Sequence, residues 1–246
     1  MADETQSDIR AALSHLTPMK SLNRSKTRVG GALDGGYVML DDLASGGICY
    51  SIGIGPDTSW DIDMAMRGWS VFQYDHTVEA APAQHPNCHF HQVGIAPTDE
   101  APNLKRLDTL VRMNGHAAEM DMVVKIDVEG SEWECLDCLG SSFFGQFRQI
   151  VAELHWMDHL ILPEFRSRFN RVLNKLRRTH ECVHIHANNF SKMTLTHGIP
   201  LAEVYEVSFA RRADYILIEN DELFPTDLDF PCNRALPDYF LGLFKF

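Results

Sequence analysis

Three short stretches carry residues able to accept, donate or hold protons. In "VVKIDVEGSEWECL", Lys125 and Asp127 lie two apart, with Glu129 and Glu132 close behind. In "IVAELHW", Glu153 and His155 have the same spacing, and "HIHANN" repeats it with His184, His186 and Asn188. Period two is the repeat of a strand's faces, so each set projects from one side of its strand. If the first two strands are neighbours, Asp127 and His155 reach one cleft. Imidazole titrates near neutral pH, which suits a general base. His155 is the expected base and His186 the next candidate. Glu129 and Glu132 suit the first turn of a following helix, where carboxylates complement the helix dipole. Lys125, in apolar company, suits a buried ion pair with Asp127 or Glu153. A divalent ion shared by Asp127, Glu153, His155 and His186 is the rival arrangement, but no ligand spacing fixes it and no metal is expected.

A second constellation concerns binding. "CYSIGIGPDTSW" runs from an apolar strand pattern into Gly53 and Gly55. Glycines at the carboxyl end of a strand let backbone N–H groups approach a ligand, with the next helix offering its amino end. About twenty residues on, "SVFQYDHT" ends a second strand at Asp75, where an ionised carboxylate can accept two ribose hydroxyls. "FHQVGIAP" then places Gln92, Val93 and Gly94 where an adenine edge would be bracketed. A dinucleotide prefers a third glycine, and Thr58 stands in that place. S-adenosylmethionine has no phosphates to cradle and is the better match; a nicotinamide-dependent oxidoreductase is the enzyme rival.

These residues need a scaffold. Strand patterns are expected at 47–54, 69–74, 88–93, 121–127 and 149–156, interleaved with helical ones at 58–67, 104–113, 131–139 and 160–180. Strands alternating with helices imply crossover connections and an α/β sheet covered on both faces. The last third differs: 182–186, 202–209 and 214–218 read as strands. No helix separates the last two, which suggests an antiparallel hairpin closing one sheet edge. Residues 1–25 read as an N-terminal helical extension, with a helix over 7–16, and 26–246 as a single domain. The aromatic tail "PDYFLGLFKF" needs a cover: the domain itself, a substrate, or a second copy in a homodimer.

Composition narrows the function. The 246 residues carry a formal net charge of -12, which disfavours binding to nucleic-acid phosphates. The one basic run, "RSRFNRVLNKLRR", has helical spacing and reads as a solvated helix face. No apolar window is long enough to span a membrane, and "MADETQSDIR" lacks the basic and apolar parts of a secretory signal; a cytoplasmic location is expected. Of the six cysteines, only Cys135 and Cys138 have CxxC spacing, and no second pair completes a zinc site. They read as structural thiols.

"VVKIDVEGSEWECL" resembles the Lys-Ile-Asp-x-Glu-Gly-x-Glu core of the FkbM-type S-adenosylmethionine-dependent methyltransferases. "IVAELHW", "HIHANN" and "VYEVSFARR" are similar to the segments that follow it, and "RVGGALDGGYVML" to an entry segment found in related methyltransferase-like proteins. The resemblance spans about Arg28 to Arg212. It implies a Rossmann-like class I methyltransferase sheet, α/β with helices on both faces, of order 3-2-1-4-5-7-6 and with strand 7 antiparallel. It implies methyl transfer, most often to a sugar, polyketide or other small-metabolite oxygen. By position it sets Ser51, Gly53 and Gly55 around the methionine part, Asp75 at the ribose and Val93 and Gly94 at the adenine, with Tyr37 a further cofactor-binding residue. Asp127 would face the transferred methyl. Ser51 departs from the commoner acidic residue and offers the cofactor's ammonium no ion pair. The expected function is methylation of a small-molecule hydroxyl, with N-methylation or a non-catalytic cofactor-binding subunit as alternatives.

Overall fold

The computed structural model describes residues 2–44 and 46–246, and its centre is a seven-stranded sheet. In chain order the strands are β1 (Gly47–Ile52), β2 (Trp69–Tyr74), β3 (Cys88–His91), β4 (Met122–Ile126), β5 (Phe147–Leu154), β6 (His180–Ala187) and β7 (Tyr205–Arg211). In space they run β3-β2-β1-β4-β5-β7-β6. β7 is antiparallel to both its neighbours, and the pairings from β3 through to β5 are parallel. This is the expected order.

Alternation along the strands sorts side chains onto two unlike faces. Tyr50, Ile52, Val124, Ile126, Ile150, Ala152 and Leu154 join the larger core cluster with buried residues of α1 (Ala2–Leu13), α3 (Leu107–Met113), α4 (Glu132–Asp137) and α6 (Pro163–Leu176). On the other face, Cys49, Val71, Val123 and Val151 pack with α2 (Ser59–Met66) and with a hairpin made of Lys26–Val29 and Tyr37–Leu40. A hairpin brings backbone polar groups against the sheet, and these must be satisfied. Gln149 accepts from the N–H of Leu40 at 2.8 Å and donates to its carbonyl at 2.9 Å, and Ser208 donates to the carbonyl of Val38 at 2.5 Å. Gln149 and Ser208, polar residues inside these strands, are therefore partners for the hairpin. Ile9, Ala12 and Leu13 of α1 are fully buried in the main core.

Helix α6 buries Phe169, Val172, Leu173 and Leu176, an i, i+3, i+4, i+7 stripe. Its basic side chains are spent on neighbouring acids: Arg166 pairs with Asp8 of α1, Arg168 with Glu134 of α4, and Arg171 and Lys175 with Asp137 of α4. All six cysteines are free thiols. Among the described residues no helix is long and apolar enough to cross a membrane.

Two expectations about the last third need correction. The antiparallel strand is β7, which inserts between β5 and β6. Leu217–Glu219 does not pair back with it but joins Met19–Ser21 in a separate two-stranded sheet. The long helix expected over 160–180 is a short 3-10 turn, Met157–Ile161, followed by α6, because Pro163 takes the first helical position. The aromatic tail folds back onto its own domain: Phe244 is buried against Tyr205, with ring centroids 5.5 Å apart.

His180, at the start of β6, is fully buried between Thr179 Oγ1 at 2.8 Å and the carbonyl of Phe147 at 2.9 Å. Burial pulls its pKa down to about 4. The unfolded chain then binds a proton that the native state refuses, so this group's contribution falls as pH drops below 6.5 and levels off near 4. Urea unfolding of His180→Gln and wild type should differ accordingly. The variant is expected to lose about 2 kcal/mol less stability than wild type between pH 7 and pH 5. Equal losses would mean that His180 keeps an ordinary pKa.

Candidate active site

The chain winds one way from β1 through β2 to β3 and the other way from β4 through β5, so the carboxyl ends of β1 and β4 diverge. In open α/β sheets ligands lie at such a switch point. A cavity of about 1030 Å³ opens there. That is room for a nucleoside-sized ligand together with a second small molecule.

The two glycines of the turn after β1 serve different ends. Both have left-handed backbones, φ 76° at Gly53 and 51° at Gly55. A Cβ on Gly53 would sit 1.6 Å from the carbonyl oxygen of Asp127, so this glycine is required by the chain's own crossing of β1 and β4. A Cβ on Gly55 would meet nothing within 4 Å and would enter the cavity. Only the second glycine leaves room for a ligand.

Asp75 lines the cavity at the end of β2 and is buried. Its Oδ2 accepts the N–H groups of Ile54 and Gly55 at 3.0 and 3.1 Å, and its Oδ1 the N–H and hydroxyl of Thr77 at 2.8 and 2.6 Å. Burial opposes its ionisation, but the bonds from Thr77, Gly55 and Ile54 outweigh burial and hold the carboxyl below its usual range. Four bonds occupy the acceptor sites of a carboxylate. Asp75 thus braces the glycine turn, and ribose hydroxyls would have to displace Thr77. Gly94 also lines the cavity, where a side chain would collide with His76 Nδ1 at 2.3 Å.

Three residues expected around the cofactor lie elsewhere. Val93 packs against the main core and does not line the cavity, whereas its neighbours Gly94 and Ile95 do. Ser51 is fully buried on the hairpin side of β1, beside Asp61 of α2, and cannot reach an ammonium in the cavity. Tyr37 is buried beneath the site, its hydroxyl 3.4 Å from Asp127 Oδ2.

At the other end of the cavity Asp127, Glu129, Glu153 and His155 converge from the ends of β4 and β5. Asp127 Oδ1 is buried with no hydrogen-bond partner. Glu153 accepts from Asn188 Nδ2 at 2.6 Å; burial and then the charge of Asp127 push its carboxyl well above the usual range. His155 Nδ1 lies 3.3 Å from Glu132 Oε1, and Nε2 lies 3.4 Å from both Glu129 Oε2 and Glu153 Oε2. Burial opposes a charge on this ring, but Glu132, Asp127 and Glu129 outweigh it and hold its pKa above the ordinary histidine value. The free base expected of His155 is therefore an imidazolium-favouring group in a nest of carboxylates.

Glu132 does more than open a helix. It is fully buried and accepts the N–H of Gly130 at 2.9 Å and of His155 at 2.7 Å, clamping the β4 and β5 exits together. Glu129 and Trp156, one in each of those exits, are both left-handed, at φ 54° and 63°. Lys125 forms no ion pair with Asp127 or Glu153; its Nζ donates to the carbonyl of Gly53 at 2.7 Å and so braces the glycine turn from below.

His186 is not among the residues lining the cavity. Its Nδ1 meets Glu206 Oε2 at 2.8 Å and its Nε2 meets Asp238 Oδ2 at 3.0 Å, while His184 Nε2 meets Asp229 Oδ1 at 2.8 Å. Both histidines fasten the C-terminal tail. His76, Thr77, Trp156 and Phe190 line the cavity without having been singled out by type or spacing. The first two directly follow Asp75 at a strand end, which is a usable signal; the last two gave none.

The strand order, with its single antiparallel strand, is that of the Rossmann-like class I methyltransferase fold. Over 120 residues the chain is 30% identical to the human protein described as "Probable methyltransferase-like protein 24", a match covering 43% of this chain and 32% of that one. The chain thus matches about a third of that relative's length. Among solved structures it is similar to the Methanococcus jannaschii fibrillarin pre-rRNA processing protein, at 12% identity and a TM-score of 0.41, covering 69% of this chain and 68% of that one. It is also similar to a 16S rRNA adenine methyltransferase from Catenulisporales acidiphilia, at 12% identity and a TM-score of 0.35, covering 76% and 97%. Likeness at that level adds nothing to the topology. No family model matches the sequence.

Proposed function

We propose that the protein is an S-adenosylmethionine-dependent methyltransferase acting on a small-molecule hydroxyl. The observation that carries the reading is the cavity itself: one end is floored by a glycine turn with free space above Gly55, the other walled by Asp127, Glu153 and His155. S-adenosylmethionine supplies an activated methyl group, so the protein's task is alignment and proton removal. Asp75, Thr77 and Gly94 would flank its nucleoside, and Gly55 its amino-acid part.

The acceptor hydroxyl would approach from the Asp127 side. As oxygen bonds to the methyl carbon and that carbon parts from sulfur, the hydroxyl proton has to leave. Asp127, whose Oδ1 has no partner, and His155, in its neutral form, are placed to receive it. The resemblance of the Lys125–Glu132 motif to FkbM-type enzymes supports the same assignment.

The test is calorimetry with S-adenosylmethionine and S-adenosylhomocysteine. Wild type should bind both. Asp75→Ala, which removes the brace from Ile54 and Gly55, should weaken binding at least about a hundredfold, or ~2.7 kcal/mol, while still unfolding cooperatively. A wild-type protein indifferent to both ligands would end the reading.

A further inference from the structure

The acid-lined end of the cavity gathers several carboxylates around one imidazole. Asp127, Glu129 and His155 each present one ligand atom, and the three atoms lie within 4.8 Å of one another. Lys125 is turned to the carbonyl of Gly53, which leaves the imidazole facing carboxylates on both edges.

An independent observation concerns His155 itself. It is 8% exposed, and its ring nitrogens have only the 3.3–3.4 Å carboxylate contacts described above, long for charge-assisted hydrogen bonds. Asp127 Oδ1, beside it, is the buried oxygen without a partner. The ring's two edges are not equivalent. Nδ1 faces Glu132, a residue outside the cavity whose carboxylate also accepts the backbone N–H of His155, while Nε2 faces the cavity group of Glu129 and Glu153. A histidine with a carboxylate behind one nitrogen, and with the other nitrogen turned to further carboxylate oxygens, has the arrangement of a metal ligand.

We infer that Asp127, Glu129 and His155 bind a divalent cation, with Glu153 beside it. Carboxylate oxygens with a single imidazole suit magnesium or manganese, which keep further positions for water or for an oxygen of a second molecule. Two carboxylates and a neutral imidazole balance a double positive charge. The ligand set differs from the sequence-based rival by taking Glu129 in place of Glu153 and by excluding His186, which the tail occupies. The ion's use, to hold and orient the acceptor hydroxyl, rests on the methyltransferase reading; its binding does not.

The experiment uses the full chain and Mn²⁺ alone, followed by the loss of the free-ion electron paramagnetic resonance signal at neutral pH. Wild type should take up one Mn²⁺ per chain, and excess Mg²⁺ should displace it. Glu129 is exposed, so Glu129→Gln does not threaten the fold; it should weaken Mn²⁺ at least about tenfold. Glu134→Gln, on the surface of α4 and outside the cavity, should bind as wild type does. No uptake at millimolar Mn²⁺, or equal losses in the two variants, would overturn the inference. Cofactor binding measured separately distinguishes the failures: metal without cofactor removes the proposed function and keeps the ion site, and cofactor without metal does the reverse.

Discussion

Gly53→Ala is expected to lose much of the domain's stability, whereas Gly55→Ala keeps most of it and binds its ligand more weakly. The two positions sit in one turn, share a left-handed backbone and are separated by a single residue. Sterically they are opposites. A methyl on Gly53 must push back the carbonyl of Asp127, to which it would come within 1.6 Å. That carbonyl belongs to the exit of β4, and β4 is hydrogen-bonded to β1 on one side and β5 on the other. Overpacking against backbone together with the left-handed penalty costs about 4 kcal/mol, a large share of the roughly 5–15 kcal/mol that holds a domain together. A methyl on Gly55 meets only the left-handed penalty, about 1 kcal/mol, but projects into the cavity. Urea unfolding should separate the variants by about 3 kcal/mol. Calorimetry on Gly55→Ala should show S-adenosylhomocysteine bound at least about tenfold more weakly, ~1.4 kcal/mol. Unchanged affinity in that variant would move the nucleoside away from the turn.

The contrast shows what the sequence could and could not say. Gly-x-Gly at the end of a strand marks a tight turn, yet only the crossing of β1 over the Asp127 carbonyl tells which glycine serves the chain and which serves a ligand. The strand order was readable because local alternation and helical interludes restrict the connections. The shared faces of Lys125 with Asp127 and of Glu153 with His155 followed from period two, and all four line the cavity. Their partners did not follow. Lys125 turns to a backbone carbonyl, and Asp75 fills its acceptor sites with the amides of Ile54, Gly55 and Thr77, because burial rewards whichever donor is nearest rather than the one chemistry would choose. The hairpin of Lys26–Val29 and Tyr37–Leu40 hid for another reason: its cover of the second face shows only in Gln149 and Ser208, polar residues that local pattern alone leaves unexplained.

His186 marks the limit of periodicity most sharply. By spacing it matches His155, but β6 is the outermost strand beyond β7, and the tail returns across it from some fifty residues away. Between Glu206 and Asp238 the imidazole holds two carboxylates, and the thiol of Cys232 donates to Glu206 at 3.2 Å. Burial works against the charge on His186, but Asp238, Cys232 and Glu206 outweigh it and keep the ring protonated far above the ordinary histidine range. Removing one member of such a buried group strands the others. His186→Leu is therefore expected to lose about 3–5 kcal/mol of stability and to expose the chain beyond Phe224 to limited proteolysis. His186→Gln, which can still donate to one carboxylate, should lose less. Because His186 does not line the cavity, the folded fraction of either variant should bind S-adenosylhomocysteine with wild-type affinity. The base reading makes the opposite forecast, of a stable protein with no turnover. A His186→Leu variant that melts with wild type and fails only in methyl transfer would return this histidine to the chemistry and require the tail to open during the reaction.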